Sequence, residues 1–574
     1  MGDKVALTID GLRVEVEPGT TVLKAAQLAG IHIPTLCYLE GINEIGACRI
    51  CLVEIEGARN LSASCVTPVS EGMVVRTNTP RVRAARRFNL ELLLSNHKME
   101  CPTCVRNLNC ELQDLARALG VREVRFEGAR VSYPPDTSTP ALVRDPEKCI
   151  LCRRCVAVCE KVQGVRAIAP LERGFEAVIG PAFQAPLMDV ACVQCGQCIL
   201  VCPVGALYEK DYTEEVWAAL ADPDKFVVVQ TAPATRVSIG EEFGLSPGAI
   251  STGKMVAALR RLGFDRVFDT DFAADLTIME EGSEFIERFK KGERLPLLTS
   301  CSPGWIKFIE HFYPELLPNL STCKSPQQMF GAIAKTYYAS KVGIDPSRMV
   351  VVSIMPCTAK KFEAQRPEMR SSGYQDVDYV LTVRELARMI RQAGIDFARL
   401  PEEQYDDPLG ESTGAAVLFG ATGGVMEAAL RTAYELLTGK ELPTLRFEPV
   451  RGLEGIKEAT VEINGTPVRV AVAHSLGYAR QLLERVKAGE QFHFIEIMAC
   501  PGGCLGGGGQ PIPTNTEIRA RRMAGIYTAD ERMVIRKSHE NPSVQALYRE
   551  FLGRPLGEKS HHLLHTHYTA RSRY

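Results

Sequence analysis

The sequence predicts a multidomain chain of α/β and α+β parts, in which several small cysteine-bearing modules precede a two-lobed α/β domain running from residue 212 to the end. Three observations predict it. Residues 3–80 alternate short β-like runs with Gly/Pro/Asn turns around one short helical stretch. Most of the 20 cysteines fall in groups. Beyond Tyr212, apolar runs such as Phe226-Val-Val-Val-Gln-Thr, Met349-Val-Val-Val-Ser-Ile and Val468-Arg-Val-Ala-Val-Ala suit central strands of a parallel sheet. Helical periodicity over Met255–Leu262 and Thr382–Ala393 lies between them.

Composition narrows the class. At 574 residues there is room for roughly four domains, and 45% hydrophobic with 24% charged residues is ordinary for a globular protein. A net charge of −2 calls for neither nucleic acid nor anionic lipid. No run of about 18 apolar residues suggests a transmembrane helix. Met1-Gly-Asp-Lys-Val leads straight into a strand-like pattern and lacks the apolar core of a signal peptide. The expected location is the cytoplasm, where disulfides are rare and grouped cysteines bind metal.

Residues 1–80 are expected to form a ferredoxin-like β-grasp with strands over Val5–Ile9 and Leu12–Val16 and a helix near Val22–Ala29. Cys37, Cys48 and Cys51 fall in one loop, and Cys65 on a later strand. Four thiolates, one close pair and two outliers, suit a [2Fe–2S] cluster. Zinc competes, because a lone CxxC also occurs in zinc sites; iron is the preferred reading. Residues 81–130 read as a small helical module, periodic over Arg83–Leu94 and Leu112–Leu119, with His97, Cys101, Cys104 and Cys110 between. Taken alone, one imidazole and three thiolates suit zinc as well as iron. Both modules resemble those of iron hydrogenases and of the large subunit of respiratory complex I. On that resemblance the second set holds a [4Fe–4S] cluster, whose potential the neutral imidazole raises.

Val131–Pro140 reads as a linker, rich in proline and small polar residues. The module at 141–211 carries the strongest signal. Cys149, Cys152, Cys155 and Cys159 form one CxxCxxCxxxC run, and Cys192, Cys195, Cys198 and Cys202 the other. In such repeats the fourth cysteine serves the opposite cluster. Cys149, Cys152, Cys155 and Cys202 are therefore assigned to one [4Fe–4S] cluster, and Cys192, Cys195, Cys198 and Cys159 to its partner. These closed sets make an electron wire, so the chemistry must lie beyond them.

In the last domain, Thr299–Trp305 and Met355–Glu363 each follow a strand-like run, and Glu496–Pro511 packs Cys500 and Cys504 among six glycines and two prolines. Cysteines four apart can aim both sulfurs at one place, and glycine lets backbone come close to a bulky group. The three segments resemble the signature loops of [FeFe]-hydrogenases, TSCCPxW, MPCxxKxxE and ExMxCxxGCxxGGGxP, in the same order. With the modules before them, the whole chain resembles the long clostridial form.

The resemblance implies an H-cluster, a [4Fe–4S] cubane joined through one cysteine to a diiron unit with CO, CN⁻ and azadithiolate. Cys357, Cys500 and Cys504 would be ligands, with Cys504 the bridge. Lys360 would pair with a cyanide, Met355 and Met498 would pack on the diiron unit, and Gln327, Pro233 and Ala234 would line the cofactor. Glu281, Glu284 and Ser321, with Cys301, match the family's proton path. The implied reaction is reversible 2H⁺ + 2e⁻ ⇌ H₂. No GxGxxG in a strand–turn–helix setting is present, so electrons would come from ferredoxin or from partner subunits carrying flavin and NAD(P). The chain resembles the catalytic subunit of multimeric NAD(P)-linked, electron-bifurcating hydrogenases of anaerobes at least as much as a stand-alone ferredoxin hydrogenase.

One residue departs from the pattern. Where the family's first loop has paired cysteines, this chain has Cys301-Ser302. Either Ser302 ligates through oxygen, or Cys301 takes the iron, or the cubane has three cysteine ligands. A weakly active or non-catalytic electron-transfer or sensory relative is the alternative that Ser302 brings. Pro501 also stands where some relatives carry a polar residue. Cys323 reads as a buried core thiol, and the four histidines of Ser560–His567 as a packed or solvated terminus.

Overall fold

Val5–Ile9 and Leu12–Val16 pair antiparallel across Asp10-Gly11, both at positive φ, the two-residue turn that matches strand twist. The computed structural model describes all residues except Met1–Asp3, Val131, Pro443, Asn464 and Tyr574. The predicted start of the chain and the first linker residue lie outside the described residues. Val5–Ile9 also pairs parallel with Val74–Arg76, in a five-stranded sheet. The helix Val22–Leu28, capped by Thr21, buries Val22, Leu23, Ala25 and Ala26 against that sheet, which gives a β-grasp. Cys65 is not on a strand. Ser62–Ala63 is only two residues long; the next residue, Ser64, bonds the Cys51 carbonyl through Oγ at 2.8 Å and turns the chain.

The second module has helices Pro80–Ser95 and Glu111–Ala118. The helical character does not run to the expected end of the module: Gly120 takes a left-handed φ of 66° and the described residues that follow carry no regular element. Arg125 is instead tied to Glu91 by two hydrogen bonds. In the third module Leu142–Arg144 pairs with Leu207–Glu209, and two short helices start at Arg154 and Gln197. Ahead of each helix the two halves repeat one conformation, with positive φ at Leu151 and Arg153 in one and at Gln194 and Gly196 in the other. Such reversals turn backbone N–H groups inward as an anion-binding nest.

The final domain is built on two four-stranded sheets. Arg266–Asp269, Phe226–Thr231, Met349–Met355 and Tyr379–Thr382 are all parallel. Leu297–Leu298, Phe494–Met498 and Thr466–His474 are also parallel, but Ile456–Ile463 joins the last antiparallel. The strand over Val468–Ala473 is therefore in a mixed sheet. Ile463 pairs with Thr466, a connection too short for the crossover that parallel strands need. All three cysteine loops leave the carboxyl ends of strands, one from the first sheet and two from the second, so they meet between the lobes. No described helix is long and apolar enough to cross a membrane.

Candidate active site and its cluster-binding cysteines

Cys301, Ser302, Cys357, Cys500 and Cys504 line one cavity together with Lys360, Met355, Met498, Gln327 and Pro233. The loops are held by their own chemistry. Glu496, in the middle of the strand Phe494–Met498, accepts from the N–H groups of Gly423 and Met426 at 2.7 Å each, where the helix Gly424–Thr438 begins. Lys360 Nζ donates to the Cys301 carbonyl at 3.1 Å and to Glu363 at 2.8 Å. Glu363 also accepts from Ser325 and Gln327, so it positions the lysine; its place three residues after Lys360 was the only sequence signal. Ser302 faces the cavity while its Oγ accepts the Ala499 N–H at 3.2 Å.

Ala234 departs from expectation. It is fully buried against the segment 417–421 and does not line the cavity, whereas Ala232 and Pro233 do. The short 3₁₀ turn Pro233–Val237 rotates its side chain to the back.

Gly507 of the glycine run lines the cavity, and the run also makes a second close approach. A Cβ on Gly507 would stand 2.2 Å from the Pro356 carbonyl oxygen, and one on Gly508 2.5 Å from that of Cys195. These glycines let the third loop lie directly on the second loop and on the third module. Gln197 and Thr358 fasten the same seam, Thr358 Oγ1 donating to the Gln194 carbonyl at 2.8 Å.

Beside the cavity, Glu281 and Glu284 are buried on the helix Thr270–Lys291. Burial first, then the charge of Glu284, raises Glu281 to about 8, while a hydrogen bond from Ser321 works against that rise. Ser321 Oγ donates to Glu284 at 2.9 Å. Burial, and then the neighbouring Glu281, keeps Cys301 a neutral thiol. Thiol, acid, hydroxyl and carboxylate thus form a connected series from cavity to helix, able to pass protons.

The other cysteines gather as grouped in the sequence. Cys149, Cys152, Cys155 and Cys202 line one cavity; Cys159, Cys192, Cys195 and Cys198 line a second. Leu151 N–H points at Cys149 Sγ and Ala167 N–H at Cys159 Sγ. Cys51 and Cys65 sulfurs are 3.3 Å apart, and Cys37 lies in hydrogen-bond contact with Cys48. Asn43 Nδ2 bonds the carbonyls of Cys37 at 2.7 Å and Cys152 at 3.0 Å, bridging two modules. His97 Nδ1 is buried without a partner, and Cys104 and Cys110 feel each other's charge.

These donor sets fit iron–sulfur clusters. Burial raises Cys357, Cys500 and Cys504 (the last to about 12); neighbouring thiolates add to the rise at Cys500 and Cys504, while the Lys360 charge works against it at Cys357. Such thiolates in a dry pocket require a cationic centre between them. The orphaned His97 nitrogen and the inward N–H groups at Cys149 and Cys159 suit the same chemistry.

Comparison with known proteins gives five matching family models. They are iron only hydrogenase large subunit, C-terminal domain, over residues 225–508, and iron hydrogenase small subunit over 516–571. The 2Fe-2S iron-sulfur cluster binding domain matches 2–80, the NADH-ubiquinone oxidoreductase-G iron-sulfur binding region 86–125, and the 4Fe-4S dicluster domain 148–206. The chain is 54% identical to NADP-reducing hydrogenase subunit HndD of Solidesulfovibrio fructosivorans, covering 99% of each. It is 43% identical to iron hydrogenase 1 of Clostridium pasteurianum, over 98% of this chain and 99% of that one. An apo [FeFe]-hydrogenase structure from Chlamydomonas reinhardtii superposes with a TM-score of 0.57 at 48% identity, over 62% of this chain and 99% of that one.

Proposed function

The chain belongs to the [FeFe]-hydrogenases, and from that premise we propose how its own residues run the reaction 2H⁺ + 2e⁻ ⇌ H₂. When bound, the H-cluster supplies the redox-active metal centre at which protons and electrons combine. Cys357, Cys500 and Cys504 would be its thiolate ligands, and Ser302 would supply a further ligand through oxygen. Lys360, held in place by Glu363, would pair with a cyanide. Met355, Met498, Gln327 and Pro233 wall the pocket and exclude water, which strengthens every charge interaction inside it.

Protons reach Cys301 Sγ from Glu281, which is resupplied through Ser321 from Glu284. Cys301 serves as this relay and not as a ligand, a reading supported by its place beside Glu281. Clusters held by residues 1–130 and by the Cys149, Cys152, Cys155 and Cys202 set would carry electrons to one held by Cys159, Cys192, Cys195 and Cys198, whose Cys195 neighbours Cys357. The donor is a ferredoxin or a partner subunit carrying flavin and NAD(P), in the cytoplasm; likeness to a subunit of an NADP-reducing hydrogenase supports this.

One observation carries the site reading: Cys301 shares a cavity with Cys357, Cys500 and Cys504 and also lies within reach of the charge of the buried Glu281. The test is anaerobic expression with the diiron maturation machinery, then H₂ evolution from reduced viologen and infrared bands of bound CO and CN⁻. A fully iron-loaded sample with neither bands nor turnover would falsify it.

A further inference from the structure

Glu284, the outer member of the acid series, is closed off by a cation with no proton to give. Arg288 donates to Glu284 at 2.6 Å and to the carbonyls of Asn319 and Leu320, and a guanidinium does not deprotonate in proteins. On its other side Glu284 meets Cys323, whose Sγ lies 3.9 Å from Glu284 Oε2 and 4.0 Å from His565 Nδ1. We propose that the C-terminal segment opens a proton entry to Glu284, in which His565 supplies the proton and the Cys323 thiol hands it on.

The segment is built to hold His565 there. Its backbone pairs with Cys323, and Lys324 N and Thr566 N bond the carbonyls of Leu564 and Thr322 at 2.8 and 2.7 Å. His565 Nε2 is 3.1 Å from Glu280 Oε2, and a carboxylate there keeps the proton on Nε2 and aims Nδ1 at Thr322 and Cys323. Glu280 is fixed in turn by Tyr548, Ser560 and the Leu556 N–H. The exposed His561 ring stacks on His565 with centroids 4.7 Å apart and leads to water.

In the step, the imidazolium Nδ1–H passes to Sγ as the S–H proton passes to Glu284 Oε2. One N–H and one S–H bond break while one S–H and one O–H bond form, and no electron moves. Burial, then the charge of Glu284, keeps Cys323 protonated and ready to donate. The charged and titratable groups facing this array are Glu280, Glu281, Glu284 and Arg288 from the helix Thr270–Lys291, with Tyr548, His561 and His567 from the C-terminal segment. Lys324, on the Cys323 side, is paired with Asp376.

The inference rests on the proton route proposed above and is tested in the holoenzyme. H₂ evolution from reduced viologen is followed from pH 6 to 9 for Cys323→Ala, Cys323→Ser and His565→Gln, the last with and without added imidazole. Cys323→Ala and His565→Gln are expected to fall roughly five-fold, most strongly at alkaline pH, while the serine variant and imidazole restore most of the rate. All variants should keep the wild-type CO and CN⁻ bands. Cys323→Ala equal to wild type, or alanine and serine variants falling alike with no response to imidazole in His565→Gln, overturns the entry. Wild-type protein without bands or turnover overturns the underlying route, and this entry with it.

Discussion

Gln197 donates through Nε2 to the Gly506 carbonyl across 2.7 Å, tying the third module to the loop that carries Cys500 and Cys504. Two residues beyond Gly506, Gly508 lies so near Gly196 that an added Cβ would stand 2.6 Å from its Cα. Electron delivery and the catalytic pocket therefore share one wall.

Gly508→Ala should be severe, because the obstructing atoms are backbone and cannot swing aside. A loss of about 3 kcal/mol is expected, with H₂ turnover nearly abolished. Thermal melting and iron content of the purified variant check it; an unchanged melting temperature would contradict the close approach.

Ser302→Cys replaces an oxygen facing the cavity with a thiol. If Ser302 ligates through oxygen, thiolate should raise the cubane's reduction potential and alter its reduced-state EPR spectrum. Ser302→Ala instead removes the acceptor for the Ala499 N–H and should cost about 1 kcal/mol. A redox titration of diiron-free protein distinguishes a ligand from a bystander: identical potentials in wild type and Ser302→Cys would count against ligation.

Glu281→Gln should lower H₂ evolution by roughly 100-fold while leaving the infrared bands intact. Its pKa of about 8 gives the sign of the pH effect. The acid form is present below that value, so evolution should decline as pH climbs through it. Stability follows the same direction: between the ordinary carboxyl range and about 8 the fold holds one proton more than the unfolded chain, so stability falls as pH rises across that window. Melting curves of Glu281→Gln should lose this dependence.

Asn43→Leu removes the bond to the Cys37 carbonyl within the first module and the bond to the Cys152 carbonyl of the third. A cost of about 2 kcal/mol is expected. Turnover with the natural electron donor should drop several-fold more than turnover with viologen, which reduces clusters nonspecifically. Equal losses with both donors would argue against an electron route through this contact.

Local regularities made much of this molecule readable in advance. Strict cysteine spacing gave the two dicluster groups, and Val5–Ile9 and Leu12–Val16 alternate cleanly enough to place both strands. What stayed hidden depends on contacts between distant segments. Glu284 looks like a solvated helix residue until the loop 321–323 covers it, and Cys323 looks inert until His565 arrives from 242 positions away. Ala234 matched a motif position, yet a turn of backbone carried it behind the wall. The glycines after Cys504 announced close approach without saying to what.

Because the seam at Gly508 is carbonyl and Cα of Cys195 and Gly196 against Cα, selection has no side chain there with which to adjust how tightly the last relay cluster speaks to the catalytic one. Any retuning of that step must come from the residues bracing the joint, Gln197 and Thr358, whose substitution would alter conduction while sparing the chemistry.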